Sequence, residues 1–439
     1  MKFHLFLLVK ELAMPKAASY HGFPEMPEID DLVDALFTDP PEVRWRVIRM
    51  LLRIEDSETI NAVRQKLHSR IASFRGKMDW RVQTRLQLAM KTIQRPVRVN
   101  GYAVVKGKGA FTTDELVAAD YELNKLDTVK AKPDIYPVVE FHVHPKMPDL
   151  KFLSDLRKAG ISHAVLLATD SDPEDVDRPE IQDKLKKNFE RSRFAESMSA
   201  DKFLNTVRAS LYSTTHVTDQ DVADWVSDYP EMLFGFGSVN LSKSRQYVEE
   251  KLEYIEKLGL RGIKLLPYSQ FFNPADNDNM DTLFQYCRRT GSIILSHSGC
   301  AAGPFEDPEL SQDSRPELWE PLVKKYPDVR LVLAHFASYS SRLPGIWFTQ
   351  AVALGKKYSN VYADISAVQY LLEDKEKIEH IRKGIGFDQL LFATDYPGPI
   401  YFGIEISEVV NKIKANPHIT EEEKVALLGG NAQKILEIK

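Results

Sequence analysis

At 439 residues, 43% hydrophobic and 28% charged, the chain has the composition of a globular protein with a large core, and its net charge of −5 singles out no class of partner. Two cysteines exclude a disulfide framework and make a reducing, cytoplasmic setting the expectation. No run approaches the ~18 apolar residues of a membrane span, and the apolar start at 3–9 is interrupted by His4 and closed by Lys10 and Glu11, with no small-residue cleavage site after it.

Residues 1–28 read as irregular, with Pro15, Pro24 and Pro27. Helical spacing begins at 29–37. Asp39 followed by Pro40 and Pro41 is a helix start, because an acid caps and a proline fits the first turn. Val43, Val47, Ile48, Leu51 and Leu52 continue at helical intervals, and further helices are predicted over 58–73 and 79–93, closed by Pro96. Residues 1–135 are thus expected to form a mostly helical extension, with its last third a connecting stretch. The segment 42–108 carries a net +11, against −4 for 1–41 and −12 for 109–439. Such asymmetry can mark an acidic partner. With no groove-reading motif and no aromatic interleaving, a helical cap with solvated arginines is the simpler reading, and nucleic acid is not an expected partner.

From Pro137 onward, short apolar runs alternate with helical segments, the pattern of parallel βα units. The runs are 138–144, 162–170, 232–240, 260–267, 292–298, 329–336, 360–366 and 389–395. Eight runs are what a closed barrel requires. The expected fold is α/β, a (β/α)8 TIM barrel over 136–439, with an added α-helical N-terminal region. Segments such as 242–258 and 279–289 supply intervening helices. The connection at about 173–230 is too long for one crossover. Its apolar positions, among them Leu185, Phe189, Phe194, Phe203, Leu204 and Val207, predict a helical insertion leaving from the face where barrels place their sites. It could be a lid, a subunit contact or a structural excursion.

Polar residues close these strands. His142 and His144 alternate on the first, so both face one way, and two imidazoles at that spacing can bind a borderline metal. His297 ends the fifth run, His335 the sixth and Asp395 the eighth. Singly, each would more often be a satisfied core residue. Five convergent candidate ligands argue for a metal site. Asp364 on the seventh run, and Tyr268 and Gln270 after the fourth, are weaker substrate-contact candidates. His163 starts its strand, the face associated with stability. Cys300, on a loop above the barrel, is not expected to act as a nucleophile.

The set resembles the amidohydrolase superfamily, and its wording is most similar to the branch that includes aminocarboxymuconate-semialdehyde decarboxylase. The resemblance covers about 136–435. It implies that His142, His144, His297 and Asp395 hold one divalent metal, zinc by preference with manganese or iron as alternatives, and that His335 is a nearby non-ligand. It also leaves open a two-metal site in which Lys264, carboxylated, bridges both ions. Lys264 could instead bind substrate, or simply pair with a barrel carboxylate such as Glu140. The first expectation for function is a hydrolase: the metal activates a water to attack an amide, lactone or ester, Asp395 shuttles the proton and His335 stabilises charge. The second is a non-oxidative decarboxylase or hydratase of an unsaturated or aromatic acid, with Lys264, Arg315 and Arg342 as candidate carboxylate-binding cations. A third is a non-catalytic metal-bound scaffold recruiting a partner through the basic N-terminal region. A small-molecule substrate is expected; a homodimer fits the resemblance, and no membrane partner is expected.

Overall fold

A computed structural model describes Lys66 and residues 98–99, 102–103, 136–144, 150–213, 217–398 and 404–438. The predicted N-terminal helices lie outside these residues, apart from Lys66, which is helical. Arg98–Val99 and Tyr102–Ala103 pair as a short antiparallel ladder. Everything below concerns the compact unit made of Lys130–Pro148 and Asp155–Lys439.

Its eight strands fall within or beside the eight predicted runs: β1 Val138–Val143, β2 Ile161–Leu167, β3 Leu233–Ser238, β4 Gly262–Leu265, β5 Ile293–Ser296, β6 Leu331–Leu333, β7 Val361–Asp364 and β8 Leu390–Leu391. They pair in chain order, every pair parallel. The sheet closes on itself beyond the β8 ladder. The Phe141 N–H donates to the Phe392 carbonyl at 3.0 Å and the His144 N–H to the Tyr396 carbonyl at 2.9 Å. This is a (β/α)8 barrel.

The interior is packed. Val139, Phe141, Val165, Leu167, Phe236, Ile293, Leu295, Val332, Leu391 and Ala393 form one buried cluster. Residues from strands all round the sheet meet there, as in other filled barrels. The C-terminal helix Asn431–Leu436 adds Ala432, Ile435 and Leu436. Arg261 and Arg330, just before β4 and β6, donate to the Leu436 and Ile435 carbonyls at 3.1 and 2.7 Å. That helix therefore closes the end opposite the predicted site.

Two places depart from regular barrel geometry. On β1, Val139 and Phe141 join the interior cluster, yet His142 and His144 are on the other parity. Against β2 the register slips between Glu140 and Val143, whose partners are Ala164 and Leu166. Three steps along one strand face two on the other, which is a β-bulge and changes the phase of alternation. After β6, His335, Phe336 and Ala337 take φ of 55°, 48° and 50° in succession. Non-glycine residues pay about 1–2 kcal/mol each for the left-handed region, so such a buried run persists only where its surroundings hold it.

The described part of the long connection between β2 and β3 is largely helical. Helices Pro179–Arg191, Ala200–Ser213 and Asp219–Asp228 make it up. Pro179 occupies the first turn, and Ile181, Leu185 and Phe189 bury one face at four-residue intervals. Thr218 and Asp221 form a reciprocal capping box. The first two helices share a core with Phe271, Ala301, Phe305 and Leu310, residues that follow β4 and β5. No described helix is long and apolar enough to cross a membrane.

Candidate metal centre

His142 is fully buried. Its Nδ1 lies 2.9 Å from Asp364 Oδ2, a carboxylate oxygen that accepts. The ring proton is therefore on Nδ1, and Nε2 presents a lone pair. Burial holds the ring's pKa well below the usual histidine range, reinforced by the charge of Lys264. His142 is thus neutral, as a ligand must be.

Nε2 of His142 stands 3.2 Å from Nε2 of His144 and 3.5 Å from Asp395 Oδ1, and His144 Nε2 is 3.9 Å from the same oxygen. A tetrahedral ion with ligands at about 2.0–2.2 Å sets neighbouring donor atoms about 3.3–3.6 Å apart. The three separations, 3.2, 3.5 and 3.9 Å, scatter about that edge, and with two imidazoles and a carboxylate converging the residues fit a divalent metal. Asp395 reaches the position from a left-handed backbone, φ 62°, a conformation that aspartate tolerates better than most residues. Its side chain is 29% exposed, so the position opens toward solvent.

A second group of close donors shares His142 and adds His335 and Asp364. Asp364 Oδ1 accepts from the His335 and Ser366 backbone N–H groups at 2.9 and 3.0 Å, and from the Ser366 hydroxyl. His335 Nδ1 lies 3.0 Å from the Ser366 carbonyl, which can only accept, so this ring also carries its proton on Nδ1. Burial pushes its pKa down to about 4, against the pull of Asp364. Both rings present Nε2 as an acceptor.

His297 is placed differently. Its ring centroid is 4.8 Å from that of His335, but its Nε2 donates to the Cys300 carbonyl at 3.0 Å. Nδ1 is then the ring's lone pair, and His297 is in neither group of close donors among the described residues. Lys264 is fully buried, with Nζ 3.2 Å from His142 Nε2. Burial brings the amine down to about 8, opposed by the charges of Asp364 and Asp395. Glu140 is engaged elsewhere: its Oε1 accepts from the Thr394 and His142 N–H groups at 2.9 and 3.1 Å, and burial pushes its carboxyl up to about 8.

The weaker candidates separate. The Tyr268 ring packs 4.6 Å from His297 and 4.9 Å from Phe305, linking the centre to the insertion's core. Burial raises its hydroxyl pKa, and Asp395 adds to the rise. Gln270 spends its side chain on the backbone, accepting from Leu266 N–H and donating to the Asp170 and Val239 carbonyls. Arg315 is bound to its neighbour Glu317. Arg342 is exposed, its backbone N–H directed to Glu306. Cys300 is buried and its thiol pushed up to about 12, which removes it as a nucleophile at neutral pH. The His163 ring packs at a tilt against Phe234, centroids 5.8 Å apart, consistent with a structural role. Sequence reasoning missed Ser366 and Tyr339, whose ring lies 5.6 Å from His335. Ser366 follows Asp364 by two and could have been found on the strand's alternation; Tyr339 lies past the left-handed turn and gave no signal.

The amidohydrolase family model matches residues 142–438. A 2-amino-3-carboxymuconate-6-semialdehyde decarboxylase from Dictyostelium discoideum is 24% identical over 242 residues, 49% of this chain and 64% of that protein's length. This chain therefore spans less than two thirds of that relative. Among solved structures, an uncharacterized TIM-barrel protein from Bordetella bronchiseptica superimposes with a TM-score of 0.50 at 17% identity, covering 69% of this chain and 98% of the other. That likeness concerns the fold.

Proposed function

The chain belongs to the amidohydrolase family, and on that premise we propose that it is a metal-dependent enzyme that removes CO2 from an unsaturated or aromatic carboxylic acid without oxidation. The observation that carries this reading is the buried ammonium of Lys264 beside the donor group of His142, His144 and Asp395. Of the three cations considered for a substrate carboxylate, Lys264 alone borders the centre. The relative named as a decarboxylase supports the same direction.

His142, His144 and Asp395 would hold one divalent ion, zinc or, with similar ligands, manganese or iron; His297 would join through Nδ1. When bound, such an ion supplies Lewis acidity that anchors an anionic oxygen or acidifies a water. Lys264 orients the substrate carboxylate. Neutral His335 faces the reacting group with Nε2. Asp395, open to solvent, takes up a proton from water and delivers it to the substrate carbon. The bond to the carboxylate then breaks, its electron pair restores the unsaturation, and CO2 leaves. Tyr268 and Tyr339 wall the space with flat apolar surface suited to a conjugated substrate.

Hydrolysis is the second reading, favoured by the partial exposure of Asp395. There its carboxylate takes a proton from water and passes it to the leaving group. A panel of unsaturated and aromatic acids, lactones and amides, read for both CO2 release and hydrolysis, separates the two. CO2 release supports the proposal; hydrolysis alone overturns it. Elemental analysis near one metal per chain supports a single ion, and two per chain would replace that reading with the bridged alternative through Lys264.

A further inference from the structure

The barrel closes through an irregular seam, and the irregularity coincides with two of the candidate ligands. Between the rungs Phe141 to Phe392 and His144 to Tyr396, β1 advances three residues while the chain after β8 advances four. The extra residue is a β-bulge, and within it lies Asp395 at φ 62°. On its other side β1 slips register against β2 between Glu140 and Val143. His142 is therefore flanked by irregular pairing on both edges. In a parallel ladder the Thr394 N–H would continue the seam onto a β1 carbonyl. It goes instead to a side chain. Glu140 Oε1 accepts from Thr394 N–H at 2.9 Å and from His142 N–H at 3.1 Å.

One oxygen thus replaces a backbone rung. It joins the amide of His142 to the amide of the residue preceding Asp395. Glu140 is completely buried, and its other oxygen, Oε2, makes no hydrogen bond among the described residues. The side chain is held by this bridge, and buried backbone N–H groups left without an acceptor are costly.

We propose that Glu140 is a positioning residue, a side-chain rung that spans the bulged seam and sets the spacing between His142 and Asp395. The inference rests on the metal-centre reading for its consequence but not for the clamp itself. What matters is an acceptor oxygen at this reach. Glutamine keeps both the reach and the acceptor. Aspartate keeps the acid but is one methylene shorter, and leucine removes the acceptor.

The test compares Glu140→Gln, Glu140→Asp and Glu140→Leu in the full chain. In metal-free protein, hydrogen–deuterium exchange of peptides covering 138–144 and 390–396 should match wild type in Glu140→Gln and quicken in Glu140→Asp. Zinc affinity by equilibrium dialysis should stay within about threefold for Glu140→Gln and fall about 10–100-fold for Glu140→Asp and Glu140→Leu, the range seen when groups supporting a ligand are removed. Aspartate outperforming glutamine in both measurements would overturn the proposal in favour of a role for the acid group, and a folded Glu140→Leu with wild-type exchange and affinity would overturn it outright. If Glu140→Leu does not fold, the ranking of the other two still decides. If wild type takes up neither zinc, manganese nor iron, the metal reading fails while the exchange measurement decides the clamp.

Discussion

The floor of the centre and the insertion core that Tyr268 joins to it, here its roof, are built on opposite plans. The floor joins the ends of β1, β6 and β7 by hydrogen bonds, and its polar groups orient one another: Asp364 holds His142 and His335, and Ser366 ties both to Asp364. The roof is an apolar core of Phe189, Phe203, Leu204, Val207 and Phe305, stapled at its rim by Lys184 to Asp313 and Arg191 to Glu309. Chemistry needs atoms fixed to fractions of an ångström, which a hydrogen-bond network supplies. A packed insertion needs only cohesion and shape, which buried area supplies. The two should therefore fail separately.

The largest expected effect is on the floor. Asp395→Asn should lower turnover by about 10²–10⁴-fold, the worth of a positioned proton-transfer group, with thermal stability little changed; near-wild-type kcat on the substrate found by screening would remove Asp395 from the mechanism. Next comes the roof. Phe203 is 1% exposed and stacks on Phe189 at 4.9 Å, so Phe203→Ala should cost about 3–5 kcal/mol in urea unfolding while zinc affinity holds within about twofold. A parallel loss of affinity would show that floor and roof are one unit. Smaller still, Asp364→Asn replaces the oxygen that receives the His142 Nδ1 proton with either a donor or a reoriented amide. Metal affinity should fall about 10–100-fold, read by dialysis, and an unchanged affinity would mean the ring's orientation is set elsewhere. At the bottom of the scale, Arg191→Ala removes a pair whose side chains are 55% and 35% exposed. It should change unfolding free energy by less than about 1 kcal/mol; a larger loss would make the rim a true staple.

The same contrast explains what the sequence could disclose. Most barrel strands are apolar runs with a polar residue at or just past the C-terminal end, so strand order and the mouth of the barrel were readable from 138–144 to 389–395. The roof helices were readable as helices from Leu185, Phe189 and Phe203, but not their destination, since periodicity names a buried face and not its partner. Alternation brought His142 and His144 together correctly, yet hid the phase change beneath them, because parity carries no information on register. Which nitrogen His297 offers depends on the Cys300 carbonyl, a main-chain group that any residue would provide. Gln270 looked like a substrate contact because it follows a catalytic-face strand; its amide is consumed by backbone that the sequence does not show to be nearby.

The three left-handed residues His335 to Ala337 bear on any attempt to move this centre to another scaffold. They turn the chain at the end of β6, so that the His335 amide meets Asp364 and its ring meets Ser366. The imidazole's aim is thus written in main-chain torsions. A grafting exercise that copies side-chain identities onto a regular barrel strand would carry the histidine and lose its bearing, whereas transplanting 331–339 as a contiguous loop, with Asp364 and Ser366 as its docking points, would carry both.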